Sequence, residues 1–265
     1  MQTAIPQHLA RQNQLDQQDP LDRLIVALDF PSAAAALHMV DQLQGTCRWF
    51  KVGMELYYSA GNSVIEQLLA RDLKVFLDLK LHDIPNTVAG AVRSVAGTGA
   101  SLLTLHASGG APMMRAAADA ASSPGAPELL AVTVLTSMDA AELRNVGVAV
   151  DLDAQNPGAP GPVQPQVLRL ARLAHSSGIH GLVCSAEEVA AVRLALGPAA
   201  RLVVPGIRPP LPAGASARDD QRRIATPSDA IARGASMLVV GRPVTQAADP
   251  AKAAAAILAE IQSAG

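Results

Sequence analysis

Residues 76–87 read FLDLKLHDIPNT, which places Asp78, Lys80 and Asp83 within six positions, and Lys51 stands upstream in FKVG. The KVFL run before Asp78 has the composition of a buried strand. A strand sends alternate side chains to the same face, so Asp78 and Lys80 are expected to project together. Burying such charges is unfavourable unless they are paired and hydrogen-bonded. A lone Asp-x-Lys reads best as a structural ion pair. Four charges drawn from two adjacent strands and the following loop point instead to chemistry. A lysine held among carboxylates can act as a fixed proton donor and can stabilise developing negative charge.

A second set of polar residues lies near the C-terminus. VVPGIRP places Pro205, Gly206 and Arg208 after one apolar run, and VVGRPVT places Gly241 and Arg242 after the next. Glycine lets backbone N–H groups approach an anion, and arginine adds a bidentate charged clamp, so the pair predicts a phosphate site. Gln221, between them, can add an amide hydrogen bond. Asp29 can bind ribose hydroxyls or cap the helix that starts near Pro31, and Thr136 can read a base edge or satisfy local backbone. His106 reads as a supporting or interface histidine, and His82 is given no role. No His, Cys and carboxylate set has zinc spacing. The carboxylates could hold Mg²⁺, but Lys51 and Lys80 already supply positive charge there. The expectation is no metal and no cofactor.

These residues must be positioned by the elements around them. Eight apolar, β-rich runs recur: LIVALD, WFKVG, KVFLDLK, SLLTLH, LLAVTVLT, GLVCSA, RLVVPG and MLVVGR. Helical stretches are expected at 33–44, 62–71, 86–97, 112–121, 166–177, 186–196, 227–234 and 250–262. Eight alternating strands and helices predict a single-domain (β/α)8 TIM barrel over residues 21–265. An open doubly wound sheet is disfavoured, because no G-x-G-x-x-G follows the first strand. Asp29, Lys51, Asp78, Lys80, His106, Thr136, Arg208 and Arg242 all fall at or just past the ends of runs. In a barrel those ends form one mouth, which carries the active site. Segment 151–165, which follows a short helix, and segment 208–227 read as long loops, the second placed to close over a ligand.

Composition sets the outer bounds. The 265 residues are 49% hydrophobic, enough for a sizeable core, and the net charge of −2 argues against a nucleic-acid partner. Cys47 and Cys184 read as buried reduced thiols. The Gln-rich start lacks the apolar region of a secretory signal, and no apolar run is long enough to span a bilayer. The expectation is a soluble cytoplasmic protein, without membrane contact, whose residues 1–20 form a flexible tail.

Together DLKLHDIPNTV, VALDFPS, FKVGMELYYSAG, TLHASGG, VTVLTSMD, VVPGIRP, DQRRIATP and VVGRPVT resemble the bacterial orotidine 5′-phosphate decarboxylase family over residues 22–262. D-x-K-x-x-D also occurs in related Mg²⁺-dependent phosphosugar barrels, but HDIPNT, PGIRP and GRPVT match the orotidine branch. The resemblance implies that orotidine 5′-monophosphate loses CO₂ from C6 to give UMP. Lys80 would protonate C6, Asp78 would sit against the substrate carboxylate, and Lys51 would complete the charge network and touch ribose. Asp83 and Thr87 would reach into the site of the other subunit of a homodimer. Asp29 would bind ribose, Thr136 the pyrimidine, and Pro205 would line the pocket. Arg208, Gln221, Gly241 and Arg242 would hold phosphate. The 1–20 tail and a longer 209–220 loop depart from the family pattern. A Mg²⁺-dependent phosphosugar enzyme, or a phosphate-ligand binder without activity, are the competing readings.

Overall fold

The structure, a computed structural model, describes residues 19–149, 162–209 and 225–264. Eight strands form: β1 Leu24–Ala27, β2 Trp49–Gly53, β3 Lys74–Leu81, β4 Leu102–His106, β5 Glu128–Val132, β6 Gly181–Val183, β7 Arg201–Val204 and β8 Met237–Val240. Each pairs in parallel with its sequence neighbour, and β8 returns to β1, so the sheet closes into a barrel. The helices are α1 Ala33–Gln42, α2 Met54–Ala60, α3 Asn62–Leu69, α4 Pro85–Ala96, α5 Gly110–Ala120, α6 Ala140–Asn145, α7 Gln164–Ser176, α8 Val189–Leu196, α9 Pro227–Ala232, α10 Arg242–Thr245 and α11 Pro250–Ala264. The expected (β/α)8 barrel is therefore the fold.

Two apolar layers hold it together. Ile25, Trp49, Phe76, Leu102, Leu130, Val203 and Met237 pack inside the barrel. The residues next to them in sequence, such as Val26, Phe50, Leu77 and Leu103, point outward and join the larger core beneath the helices. Both faces of every strand are covered, which is why the strands read as continuous apolar runs rather than alternating ones. Prolines open several helices: Pro85 begins α4, Pro227 begins α9 and Pro250 begins α11. Their fixed φ suits a first turn, where the missing N–H loses no helical bond.

Some boundaries differ from expectation. Helix α2 and the single turn of α10 were not expected, and α8 starts three residues late, at Val189. The reason for the late start is local. Glu188 Oε2 accepts from both Ser185 N and Ser185 Oγ, at 2.8 and 2.6 Å, which holds 185–188 as a turn. Asp19 and Pro20, expected in the tail, are among the described residues. Asp19 and Asp22 both pair with Arg48, at 3.1 and 2.8 Å, and Asp22 accepts from Trp49 Nε1 at 3.0 Å. The rest of the expected tail, residues 1–18, lies outside the described residues. No helix among the described residues is long and apolar enough to cross a membrane.

Candidate active site

The inward faces of β1, β2 and β3 continue past the apolar interior into polar residues. Phe76 is followed two positions on by Asp78, Trp49 by Lys51, and Ala27 by Asp29. These side chains meet in a cavity of about 500 Å³ at the C-terminal mouth. It is lined by Asp29, Lys51, Asp78, Lys80, Thr136, Pro205, Arg208, Gly241 and Arg242. Residues more than 200 positions apart thus converge on one mouth, as the ends of the strands require.

Charge alternates across this mouth. Lys51 Nζ donates to Asp29 Oδ1 at 2.8 Å and stands 3.6 Å from Asp78 Oδ2. Lys80 Nζ lies 2.9 Å from each oxygen of Asp78. Thr104 Oγ1 donates to Asp78 Oδ1 at 2.9 Å. Asp78 is buried, at 9% exposure. Burial alone pushes its carboxyl up, but the Lys51 and Lys80 charges and the bonds from Lys80 and Thr104 outweigh this and hold it below the ordinary carboxylate range. The site is an ordered row, Asp29, Lys51, Asp78, Lys80, in which each charge has an opposite neighbour.

Asp29 therefore faces Lys51 and does not cap a helix; Ser32 caps α1, accepting from Ala35 N at 3.3 Å. Gly53 makes room for this pair. A Cβ there would come within 3.0 Å of Lys51 Nζ and 3.2 Å of Asp29 Oδ1. Gly206, beside Arg208, has φ +79°, a left-handed conformation that glycine adopts without strain. Arg208 N–H donates to Ala225 O at 2.9 Å, and its guanidinium donates to Ile207 O at 2.9 Å.

Two expected site residues do not join this cavity within the chain. Asp83 and Thr87 are exposed, at the entry to α4, and are not among the residues lining it. Asp83 Oδ1 accepts from Ile84 N at 2.6 Å. The second anion of the chain's own charge row is accordingly Asp29. Gln221, within the expected closing loop, lies outside the described residues.

Other lining residues were missed. Ala27, Phe76, Val132, Val183 and Val239 form the apolar floor, and Cys184 and Gln246 complete the wall. The floor was within reach of a period-of-two count back from the polar residues. The same count back from His106 reaches Thr104, but nothing in the sequence marks its hydroxyl as a partner of Asp78. The imidazoles of His82 and His106 lie with centroids 5.4 Å apart, tilted 38° to each other. Among the described residues no group of three or more His, Cys, Asp or Glu side chains could hold a metal ion.

A closed (β/α)8 barrel with a charge row and a cavity at its C-terminal mouth has the architecture of an enzyme of the barrel class. Residues 22–257 match the model of the "Orotidine 5'-phosphate decarboxylase / HUMPS family", and the chain belongs to that family. It is 52% identical to an orotidine 5′-phosphate decarboxylase of Halorhodospira halophila, over 92% of this chain and 97% of that one. It is 51% identical to one of Anaeromyxobacter sp., over 91% and 98%. Among solved structures it is similar to orotidine 5′-phosphate decarboxylase from Lactobacillus acidophilus, with TM-score 0.75, 40% identity, and coverage of 91% of this chain and 99% of that one.

Proposed function

We propose that this chain decarboxylates orotidine 5′-monophosphate to UMP and CO₂, the step that yields the pyrimidine nucleotide in its biosynthesis. The observation that carries the reading is the Asp78 carboxylate fixed between Lys51 and Lys80 at the cavity floor. Family membership and the names of relatives about half identical to this chain support the substrate.

The geometry suggests how the reaction runs. The substrate carboxylate on C6 lies against Asp78. The bond from C6 to the carboxylate carbon breaks, CO₂ leaves, and the electron pair stays at C6. Lys80 Nζ then gives its proton to C6. The amine left behind regains a proton from solvent. Lys51 and Lys80 stand where negative charge grows, and their field is in place before the substrate arrives. Asp29 takes ribose hydroxyls, Thr136 faces the pyrimidine and Pro205 lines the pocket. Arg208, Gly241 and Arg242, with Gln221, take the phosphate, whose binding energy is remote from the reacting carbon and available to order the charges. A divalent cation does not fit this carboxylate. The Lys80 ammonium is 2.9 Å from both of its oxygens, and Lys51 is next to it.

The working unit in this reading is a homodimer in the cytoplasm, each site completed by Asp83 and Thr87 of the partner subunit. Supporting it, Ile84 and Tyr58 are 67% and 77% exposed, and Met54 is 44% exposed, on segments that follow the neighbouring strands β3 and β2. Large apolar side chains left exposed on elements that follow neighbouring strands suit a protein contact.

The test is to mix the purified protein with orotidine 5′-monophosphate in EDTA and follow loss of the orotate absorbance together with CO₂ release. Conversion to UMP that EDTA does not slow is the expected result. A folded protein that leaves the nucleotide intact, or that acts on phosphosugars only with Mg²⁺, would overturn the reading.

A further inference from the structure

The backbone that carries Lys80 is irregular. Along β3 and β4, Leu77 pairs with Leu103 and Leu81 with Leu105. Asp78, Leu79 and Lys80 therefore stand opposite the single residue Thr104, and β3 carries a bulge there. Lys80 has φ +50°, one of two non-glycine residues with positive φ among those described. For a side chain of this size that conformation is unfavourable and persists only where its surroundings hold it.

What holds it is one hydroxyl. Thr104 is fully buried. Its Oγ1 accepts the Lys80 N–H at 2.8 Å, a donor that the bulge takes out of the regular ladder. The same Oγ1 donates to Asp78 Oδ1 at 2.9 Å. A hydroxyl has one proton and two lone pairs, so it can fill both roles at once. One side chain thus fixes the main chain of the lysine and the head group of its carboxylate partner. With both anchored, Lys80 Nζ meets the two Asp78 oxygens at equal distance.

We propose that Thr104 is a positioning residue: its hydroxyl sets the bulge in β3 and thereby the relative placement of Asp78 and Lys80 on which turnover depends. The inference rests on the decarboxylase reading for its kinetic consequence, but its structural consequence stands apart from that reading. Substitution by valine keeps volume and β-branching while removing both hydrogen bonds. The bulge should then relax toward a regular ladder and carry the ammonium off its aim. A displacement of about 1 Å at a reacting group can lower a rate about a hundredfold.

The experiment compares wild type, Thr104→Val, Thr104→Ala and Thr104→Ser by steady-state decarboxylation across pH, by thermal unfolding and by crystallography of a hydroxyl-free variant. Thr104→Val is expected to lose roughly tenfold to a hundredfold in kcat, with KM little changed. Its acid limb should move to higher pH, because Asp78 loses a bond that favours its ionised form. Thr104→Ser should recover most of the rate. Lys80 should leave the left-handed region in the hydroxyl-free structure. Thr104→Ala serves if the valine variant does not fold. Wild-type kcat in Thr104→Val, an equal loss in Thr104→Ser, or an unchanged bulge without the hydroxyl would each overturn the proposal. An inactive wild type would sink the decarboxylase reading instead, and the crystal structure would still decide whether Thr104 holds the bulge.

Discussion

At the scale of single residues, the site is a row of charges whose stability and chemistry depend on the same contacts. Lys80 is the one cation bridging both oxygens of the buried carboxylate. Replacing it with alanine removes the proposed proton donor and is expected to lower kcat by at least about 10². Steady-state assay on orotidine 5′-monophosphate checks this, and near-normal turnover would remove Lys80 from the donor role. Asp78 makes a separate, pH-dependent prediction. Its folded-state carboxyl is held below the ordinary value, because the two lysines and two hydrogen bonds outweigh the burial that would raise it. The unfolded chain therefore takes up the proton first. Its stabilising contribution is complete above about pH 4 and is lost as the pH falls through the lowered folded value. Wild type should thus lose stability in acid more steeply than Asp78→Asn, measured by denaturant unfolding between neutral pH and pH ~3. At neutral pH the asparagine variant should be weaker by on the order of 2 kcal/mol. Removing the anion leaves Lys51 and Lys80 facing each other, and the effect is smaller than for an enclosed pair because Lys80 still reaches solvent. Parallel acid profiles would remove Asp78 as the source of the slope. The pairing of Asp78 with Lys80 was legible in the sequence because two residues of one strand separated by one other share a face. Thr104 was not, since a threonine inside SLLTLH is an ordinary strand former. Its role arises from a register shift that belongs to two strands together.

At the scale of elements, the end of the barrel opposite the mouth is held by its own set of contacts. There Arg193 of α8 gathers several loose ends. Its guanidinium donates to the carbonyls of Gly197, Pro198 and Ala200, at 3.1, 2.9 and 2.6 Å, just before β7. It also donates to Gly234 O at 2.7 Å and to Ser236 Oγ at 3.1 Å, just before β8. Arg193→Leu should leave carbonyls without donors and destabilise the fold by roughly 2–3 kcal/mol. The mouth lies at the far ends of the same strands, so KM should stay close to wild type. Thermal unfolding with parallel kinetics tests this; an unchanged Tm would mean that water replaces the guanidinium without loss. The eight strands were readable because strands buried on both faces are unbroken apolar runs. The helices were readable where an apolar stripe repeated. Two were not. MELYYSA is closed at Gly61, with φ +61°, so α2 is too short to show a repeat. In GRPVT, proline and two β-branched residues conceal the single turn of α10, which Pro243 in fact suits as part of a first turn. Thr136 lies four residues past the end of β5, in a loop that the run LLAVTVLT had read as strand.

At the scale of the whole molecule, the charge row is complete within one chain, but two of the proposed site residues do not reach it. Asp83 and Thr87 are exposed, beside exposed Ile84, and are not among the residues lining the cavity. A second copy resolves this if each subunit lends Asp83 and Thr87 to the other, an isologous exchange that a two-fold axis allows. The arithmetic of such an exchange is testable. Lys80→Ala lacks the donor in its own site but still offers Asp83 to its neighbour. Asp83→Asn keeps its own donor and lends a defective residue. In a mixed dimer one site inherits both defects and the other inherits neither. Equal amounts, exchanged to equilibrium, place half of the molecules in mixed dimers and restore about a quarter of all sites. Each variant alone should be slow, and the mixture should regain roughly that fraction of wild-type turnover. Subunit exchange would be verified with differently tagged copies, recovered as a mixed species before assay. Activity that stays at the sum of the two variants in a confirmed mixed dimer would mean that each chain builds its site alone. Asp83 would then be a turn residue holding Ile84 N at the entry to α4, the role its one short hydrogen bond already allows.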